Sequence, residues 1–411
     1  MTRQHHIVGV KLAEVLGRGF FVVFCTYALP LEQAGQFGLV ATLLNLAAFA
    51  LSYERQIAVM REVAGAPAAH IHQRLQESLR FQALHAGWVL PLIAVIAALW
   101  FSWPAPTLAL LLPILLAEYL SNQVYHVVLI ESRHFALLCW AALRSVALCL
   151  FAVIGAAGFS AEFSIGWILI AWASVSVVFL AAITWTWRRY RLDAQTSTPV
   201  AELPAKSAPA IYRESMLHFV SGSVAVAAIQ FDRVVAGLSL ESEALGLYFR
   251  HVTLAALVLQ FFSVVFFGRV APQVYALARN QEFANARFAV WAEYRRFTVV
   301  VICGAALAFG LDHALGLPSS QFGLVHGYLV LLGLAVLMRA AAEFAGLLLL
   351  TRSQDALLLR NQATALCIGC LLLLALSESI GLLGALCGAL VAPFTYLLLN
   401  SFSLRRLNPA P

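Results

Sequence analysis

The chain has 411 residues, of which 62% are hydrophobic and only 11% charged, and its formal net charge is +6. A mean hydropathy of +0.85 lies far outside the range of water-soluble globular domains, which excludes a soluble enzyme or binding module. The positive balance sits in short loops between apolar runs and gives no support to nucleic-acid binding.

A helix of about 20 residues crosses a bilayer core of about 30 Å, and apolar stretches of that length recur along nearly the whole chain. Twelve spans are predicted, at 8–28, 37–60, 82–102, 107–130, 135–157, 164–187, 212–238, 246–269, 296–316, 323–350, 356–376 and 380–402. Lys11, Glu14 and Arg18 interrupt the first. No short apolar segment with a small-residue cleavage site opens the chain, so no removable signal peptide is expected. The fold class expected is an all-α polytopic membrane protein.

Lys and Arg in short loops stay on the cytoplasmic side. The termini and the loops after even-numbered spans contain Arg61, Arg74, Arg133, Arg188, Arg189, Arg191, Lys206, Arg279, Arg287, Arg352, Arg405 and Arg406. The alternate loops carry Glu32, Glu162, Glu241, Glu243, Asp312 and Glu378 instead. Both termini are therefore expected in the cytoplasm, with twelve as the self-consistent number of spans.

The polar, Pro- and Ala-rich stretch from Arg188 to Ala210 reads as a linker at the centre of the chain. It predicts a six-helix bundle over 1–190, a cytoplasmic linker over 191–210 and a second six-helix bundle over 211–411. Weak internal matches support two copies: LPLEQAGQF at 29–37 with LSLESEALGLY at 238–248, REVA at 61–64 with RVAP at 269–272, and LIESRHFALL at 129–138 with LLTRSQDALL at 349–358. Copies with an even number of spans share one orientation, and transporters place cargo in the cavity between such halves. RLQESLRF near 74–81 and RFAVWAEYRRF near 287–297 read either as amphipathic surface helices or as extensions of the spans.

Charges inside the spans carry the functional signal. Lys11, Arg18, Arg55, Arg144, Arg233, Arg250 and Arg339 stand against Glu14, Glu54, Glu118, Asp232 and Glu343. Each such charge facing lipid costs about 2.5–3.5 kcal/mol on insertion scales, so a polar interior is required. Lys11, Glu14 and Arg18 share one helical stripe, as an internal ladder or as cargo contacts. Arg339 and Glu343, at i,i+4, can satisfy each other or meet cargo. Asp232 and Arg233, in AIQFDRVVAGL, point about 100° apart, so at least one must find a partner elsewhere.

Arg144 has no acid within four residues on its own helix, which makes it the foremost candidate for holding an external anion. Glu118 lies among Tyr119, Asn122, Gln123, Tyr125 and His126, groups able to bond sugar hydroxyls or one another across helices. Arg250 with His251, and Arg55, read as snorkelling to an interface. Only Lys11 and Lys206 are lysines, and the preference for the planar, always ionised guanidinium suits an anionic cargo. Asp232, Glu118, Glu343 and Glu14 are the candidates for ion coupling.

No P-loop motif occurs, no acidic pair suits a metal–sugar-nucleotide site, and the seven cysteines fall inside spans. No enzyme activity, cofactor or metal is expected.

With these residues together, the chain resembles the Wzx-type O-antigen flippases, the polysaccharide-transport branch of the MOP superfamily that includes the MATE multidrug-and-toxin extruders. The resemblance rests on LPLEQAGQFG, REVAG, LIESRHFALL and IQFDRVVAGLSLESEALGLY. It implies a MATE-like fold of two pseudo-symmetric six-helix bundles around a central cationic cavity. It implies export of undecaprenyl-pyrophosphate-linked oligosaccharide units across a bacterial inner membrane for lipopolysaccharide biosynthesis. A polysaccharide polymerase and a chain-length regulator are implied partners beside the phospholipid bilayer. Arg18, Arg144, Arg233 and Arg339 fit the lumen it implies, and Arg250 and Lys11 are further candidates for substrate binding there. The rivals are a multidrug or organic-ion antiporter of the same superfamily and a polytopic glycosyltransferase or polymerase.

Overall fold

Every regular element in the computed structural model of the chain is helical among the residues it describes, which are 2–53, 55, 59, 68–101, 105–130, 134–158, 163–194, 206–315 and 326–407. A lipid-embedded backbone must bond to itself, and the helix achieves that within one segment. In chain order the helices are α1 (Thr2–Ala28), α2 (Leu31–Ser52), α3 (Ala68–Phe101), α4 (Ala105–Ile130), α5 (Phe135–Gly158) and α6 (Ile165–Ala194). There follow α7 (Ala208–Ser239), α8 (Ser242–Phe261), a π-helical segment (Phe262–Phe267), α9 (Gly268–Arg279), α10 (Phe283–Leu315), α11 (His326–Leu350) and α12 (Asp355–Leu407).

Local chemistry explains the breaks. α1 ends ahead of Leu29–Pro30, because proline disfavours helical backbone at the residue before it. α2 stops where Tyr53 takes a left-handed φ of 47°, and the turn between α11 and α12 holds Ser353 at 57°. α12 is 53 residues long, about 80 Å at 1.5 Å per residue, far more than one crossing needs. It folds back on itself at Ile380 and Gly381, where φ of Gly381 is 58° and the backbone leaves helical geometry. The contacts across this hairpin are symmetric about that point. A Cβ on Gly369 would meet Ala392 and one on Gly388 would meet Leu373, while Asn361 Nδ2 donates to Asn400 Oδ1 and Gln362 Nε2 to Tyr396 Oη.

Among the described residues, nine segments are long and apolar enough to cross a membrane. The last contains both hairpin arms, so the predicted spans at 356–376 and 380–402 are one helical hairpin. The predicted first span, carrying Lys11, Glu14 and Arg18, and the ninth, within α10, do not meet that criterion. The two stretches read as amphipathic lie inside α3 and α10, so they are extensions of long helices. Most of the expected linker lies outside the described residues.

Two compact units divide the chain differently from the halves read in the sequence. Unit 1 comprises 1–21 and 40–226; unit 2 comprises 22–39 and 227–411. The hairpin where α1 meets α2 therefore belongs with the later helices, and the first half of α7 with the earlier ones. Unit 1 packs around Ala117, Val128, Leu138, Ala141 and Phe179. Unit 2 has one core of Phe262, Phe266, Phe297 and Phe344, where the π segment meets α10 and α11, and another around Tyr248, Phe249 and Leu386.

Candidate functional site

Within unit 1 the buried charges close on one another. Glu118 of α4 is fully buried, with Oε1 2.8 Å from Arg144 Nη2 of α5 and Oε2 2.9 Å from Arg18 Nη2 of α1. Arg18 also donates to Asn45 of α2, and Arg144 lies over the Phe179 ring of α6 at 5.1 Å. One turn earlier on α1, Lys11 Nζ sits 2.9 Å from Glu14 Oε2, Glu14 Oε1 accepts from Ser121 Oγ, and Lys11 rests over Tyr125.

Arg144 thus has an acid, but on a neighbouring helix, and its side chain is 1% exposed. Glu118 takes only Nη2 of this guanidinium; Nε and Nη1 of Arg144 are buried with no hydrogen-bond partner among the described residues. Arg18 and Lys11 keep partial access, at 20% and 13%. The polar residues around Glu118 differ in their surroundings. Tyr119 is buried, Asn122 is exposed, Gln123 accepts from Gln82 Nε2 of α3 at 3.5 Å, and Tyr125 lies under Lys11. Arg55, read as snorkelling, is completely buried and paired with Glu214 of α7 at 3.2 Å.

Unit 2 is arranged otherwise. A cavity of about 80 Å³ opens between α7, α8, α11 and the α12 hairpin, lined by Asp232, Arg233, Arg339, Cys370 and a mostly apolar wall that includes Ala256, Leu259, Leu373 and Pro393. The side chains of Asp232 and Arg233 point apart, as neighbours on a helix do, and bond to different partners. Asp232 Oδ2 accepts from Tyr248 Oη of α8 at 2.8 Å, and Arg233 Nη1 donates to Gln230 Oε1 at 2.8 Å. Arg339 Nη2 lies 2.6 Å from Glu343 Oε1 on its own helix and stacks over Tyr396 of α12 at 5.2 Å. Asp232 Oδ1, Arg233 Nε and Arg339 Nε are buried with no hydrogen-bond partner among the described residues. Such atoms cost about 1–3 kcal/mol each unless a ligand or water meets them.

Arg250 does not line this cavity. Its guanidinium caps α1, donating to the carbonyls of Thr26, Tyr27 and Leu29 at 3.2, 3.3 and 3.0 Å, while Tyr27 Oη donates back to Arg250 O at 3.0 Å. His251 accompanies it, against the Tyr328 ring. Gly246, one turn earlier, lies so close to Leu31 that a Cβ would fall 2.0 Å from its carbonyl oxygen.

Sequence reasoning missed Asn45, Ser121, Tyr248, Gln230 and Tyr396. Each is an uncharged polar partner from a distant helix or an unremarked neighbour, and only the i,i+3 spacing of Gln230 to Arg233 was visible beforehand. No cysteine forms a disulfide, and no cluster of His, Cys, Asp and Glu able to hold a metal occurs among the described residues.

These features define a polytopic, all-helical membrane protein whose helices carry buried charge, and the fold is MATE-like. A multidrug-resistance MATE family transporter of the MOP superfamily, in an inward-facing conformation, aligns with a TM-score of 0.65 at 12% identity over 97% of this chain and 96% of that one. The lipid II flippase MurJ in an inward closed conformation aligns at 0.69 and 11% identity, over 96% and 86%. The MATE transporter VcmN of Vibrio cholerae aligns at 0.61 and 15%, over 99% and 97%. No family model matches the chain. No curated protein matches it.

Proposed function

We propose that the chain is a flippase that carries an undecaprenyl-pyrophosphate-linked oligosaccharide from the cytoplasmic to the periplasmic leaflet of a bacterial inner membrane by alternating access. The observation that carries this reading is the cavity of unit 2, where Arg233 and Arg339 present buried, unbonded guanidinium N–H groups in a fold shared with a lipid II flippase. A pyrophosphate or acidic sugar offers the acceptors those donors lack. Arg18 and Lys11, the partly accessible bases of unit 1, would add to the cationic surface, and the lipid tail would stay in the bilayer. An ion gradient would drive the cycle. Asp232, with one oxygen unbonded, is a better coupling candidate than Glu118 between its two arginines, Glu14 or Glu343. A polymerase and a chain-length regulator would take the exported units.

A multidrug antiporter is the second reading, favoured by the mostly apolar cavity wall and by the multidrug-resistance neighbour. The two part in one experiment. In cells that depend on this chain for surface polysaccharide, Arg233→Ala with Arg339→Ala should abolish the polysaccharide at normal protein levels. Unchanged polysaccharide together with export of cationic dyes by the intact chain would establish the antiporter instead.

A further inference from the structure

A second cavity lies in unit 2, away from Asp232 and the transport residues. It holds about 280 Å³ between the start of α10, the turn after α11 and the end of α12, and Arg287, Trp291, Arg352, Ser401 and Arg405 line it. Among the described residues, none that lines it is acidic. Arg352 is fixed in place, donating to Leu407 O at 3.1 Å and stacking over Phe283 at 5.1 Å. Arg287 and Arg405 are exposed and make no ion pair among the described residues. Arg287 and Arg405, which make no ion pair among the described residues, line this hollow together with Arg352, and like charges gathered there repel one another unless an anion enters.

We propose that this pocket binds a phosphate group, the chemistry shared by an acidic phospholipid headgroup and free phosphate, and that the headgroup is its occupant. The guanidinium fork matches phosphate oxygens bidentately, and Ser401 adds a hydroxyl. The surroundings favour the lipid. Leu398, Phe402 and Arg405 follow one another along one stripe of α12, and the first two are exposed large hydrophobics, as is Phe288 beside Arg287. An acyl chain lying along that stripe brings its headgroup to the arginines, with Trp291 at the level where indoles prefer the interface. All three arginines come from segments that the distribution of basic residues assigns to the cytoplasmic face, where acidic lipid is found and basic pockets between helices take it up. This site does not rest on the transport reading.

The test uses the full purified chain in detergent, offered equal amounts of phosphatidylglycerol and phosphatidylcholine, with bound lipid read by native mass spectrometry. Phosphatidylglycerol should be retained in preference by about tenfold, and Arg287→Gln with Arg405→Gln should remove most of that preference. Arg352 is left intact because it caps α12. Arg360→Gln, an exposed arginine that does not line the cavity, serves as the control and should change nothing. Retention that survives excess inorganic phosphate supports the lipid. Displacement of the lipid by inorganic phosphate keeps the phosphate site but overturns the headgroup as its occupant. Equal retention of the two lipids, or a preference untouched by the double substitution, overturns the proposal.

Discussion

The two units give their buried charges different partners, although each leaves some charged atoms unbonded among the described residues: Arg144 Nε and Nη1 in unit 1, Asp232 Oδ1 and Arg233 Nε in unit 2. In unit 1, Glu118 and Glu14 are each held by bases, and a second helix closes the contact: α5 and α1 for Glu118, Ser121 of α4 for Glu14. In unit 2, Asp232 and Arg233 lean on uncharged partners, Tyr248 and Gln230, and face a cavity with atoms left unbonded. A closed ion pair ties helices to each other. An open charge beside a cavity keeps its interaction free energy for a visitor. The first arrangement ties helices together, and we propose binding for the second because it lines a cavity.

Glu118→Gln should test this most severely, because it strands Arg144 at 1% exposure and should cost about 3–5 kcal/mol. A thermal unfolding midpoint in detergent that stays at the wild-type value would erase the distinction. Replacing the core of the cluster by Glu118→Leu with Arg144→Met should recover much of the loss, since removing both charges removes the desolvation penalty as well.

Unit 2 is tight elsewhere, and Gly246→Ala measures that. The added Cβ would meet the Leu31 carbonyl at 2.0 Å, so overpacking should cost about 1–3 kcal/mol, read in the same melt. A neutral outcome would mean that unit 2 is loose throughout and that its cavity is nothing special.

Asp232→Asn keeps an acceptor for Tyr248, so stability should change by no more than about 1.5 kcal/mol, while the proposed transport, read as surface polysaccharide, should be lost. Destabilisation as large as that of Glu118→Gln would make Asp232 another structural tie. The smallest effect belongs to Arg296→Ala, whose pairing with Glu293 is made at 67% exposure. It should shift stability by no more than about 0.5 kcal/mol, setting the floor against which the buried pairs are judged.

Pairings within one helix were legible in the sequence. Arg339 and Glu343 stand at i,i+4 and meet; Lys11 and Glu14 stand at i,i+3 and meet. Asp232 and Arg233 had to diverge, and they do. Pairings between helices were not legible. Nothing near Arg144 in the chain announces Glu118, and Arg250 caps the end of a helix more than 220 residues earlier. Arg55 is a similar case, buried beside Glu214 rather than reaching for an interface.

Hydropathy by itself determined that the chain crosses a membrane many times as helices, because an apolar run of sufficient length has one way to satisfy its backbone in lipid. Tertiary structure alone decided which charges are spent and which remain available. Coulombic and hydrogen-bond partners are chosen by proximity in space, and helix packing brings together side chains that sequence spacing keeps far apart.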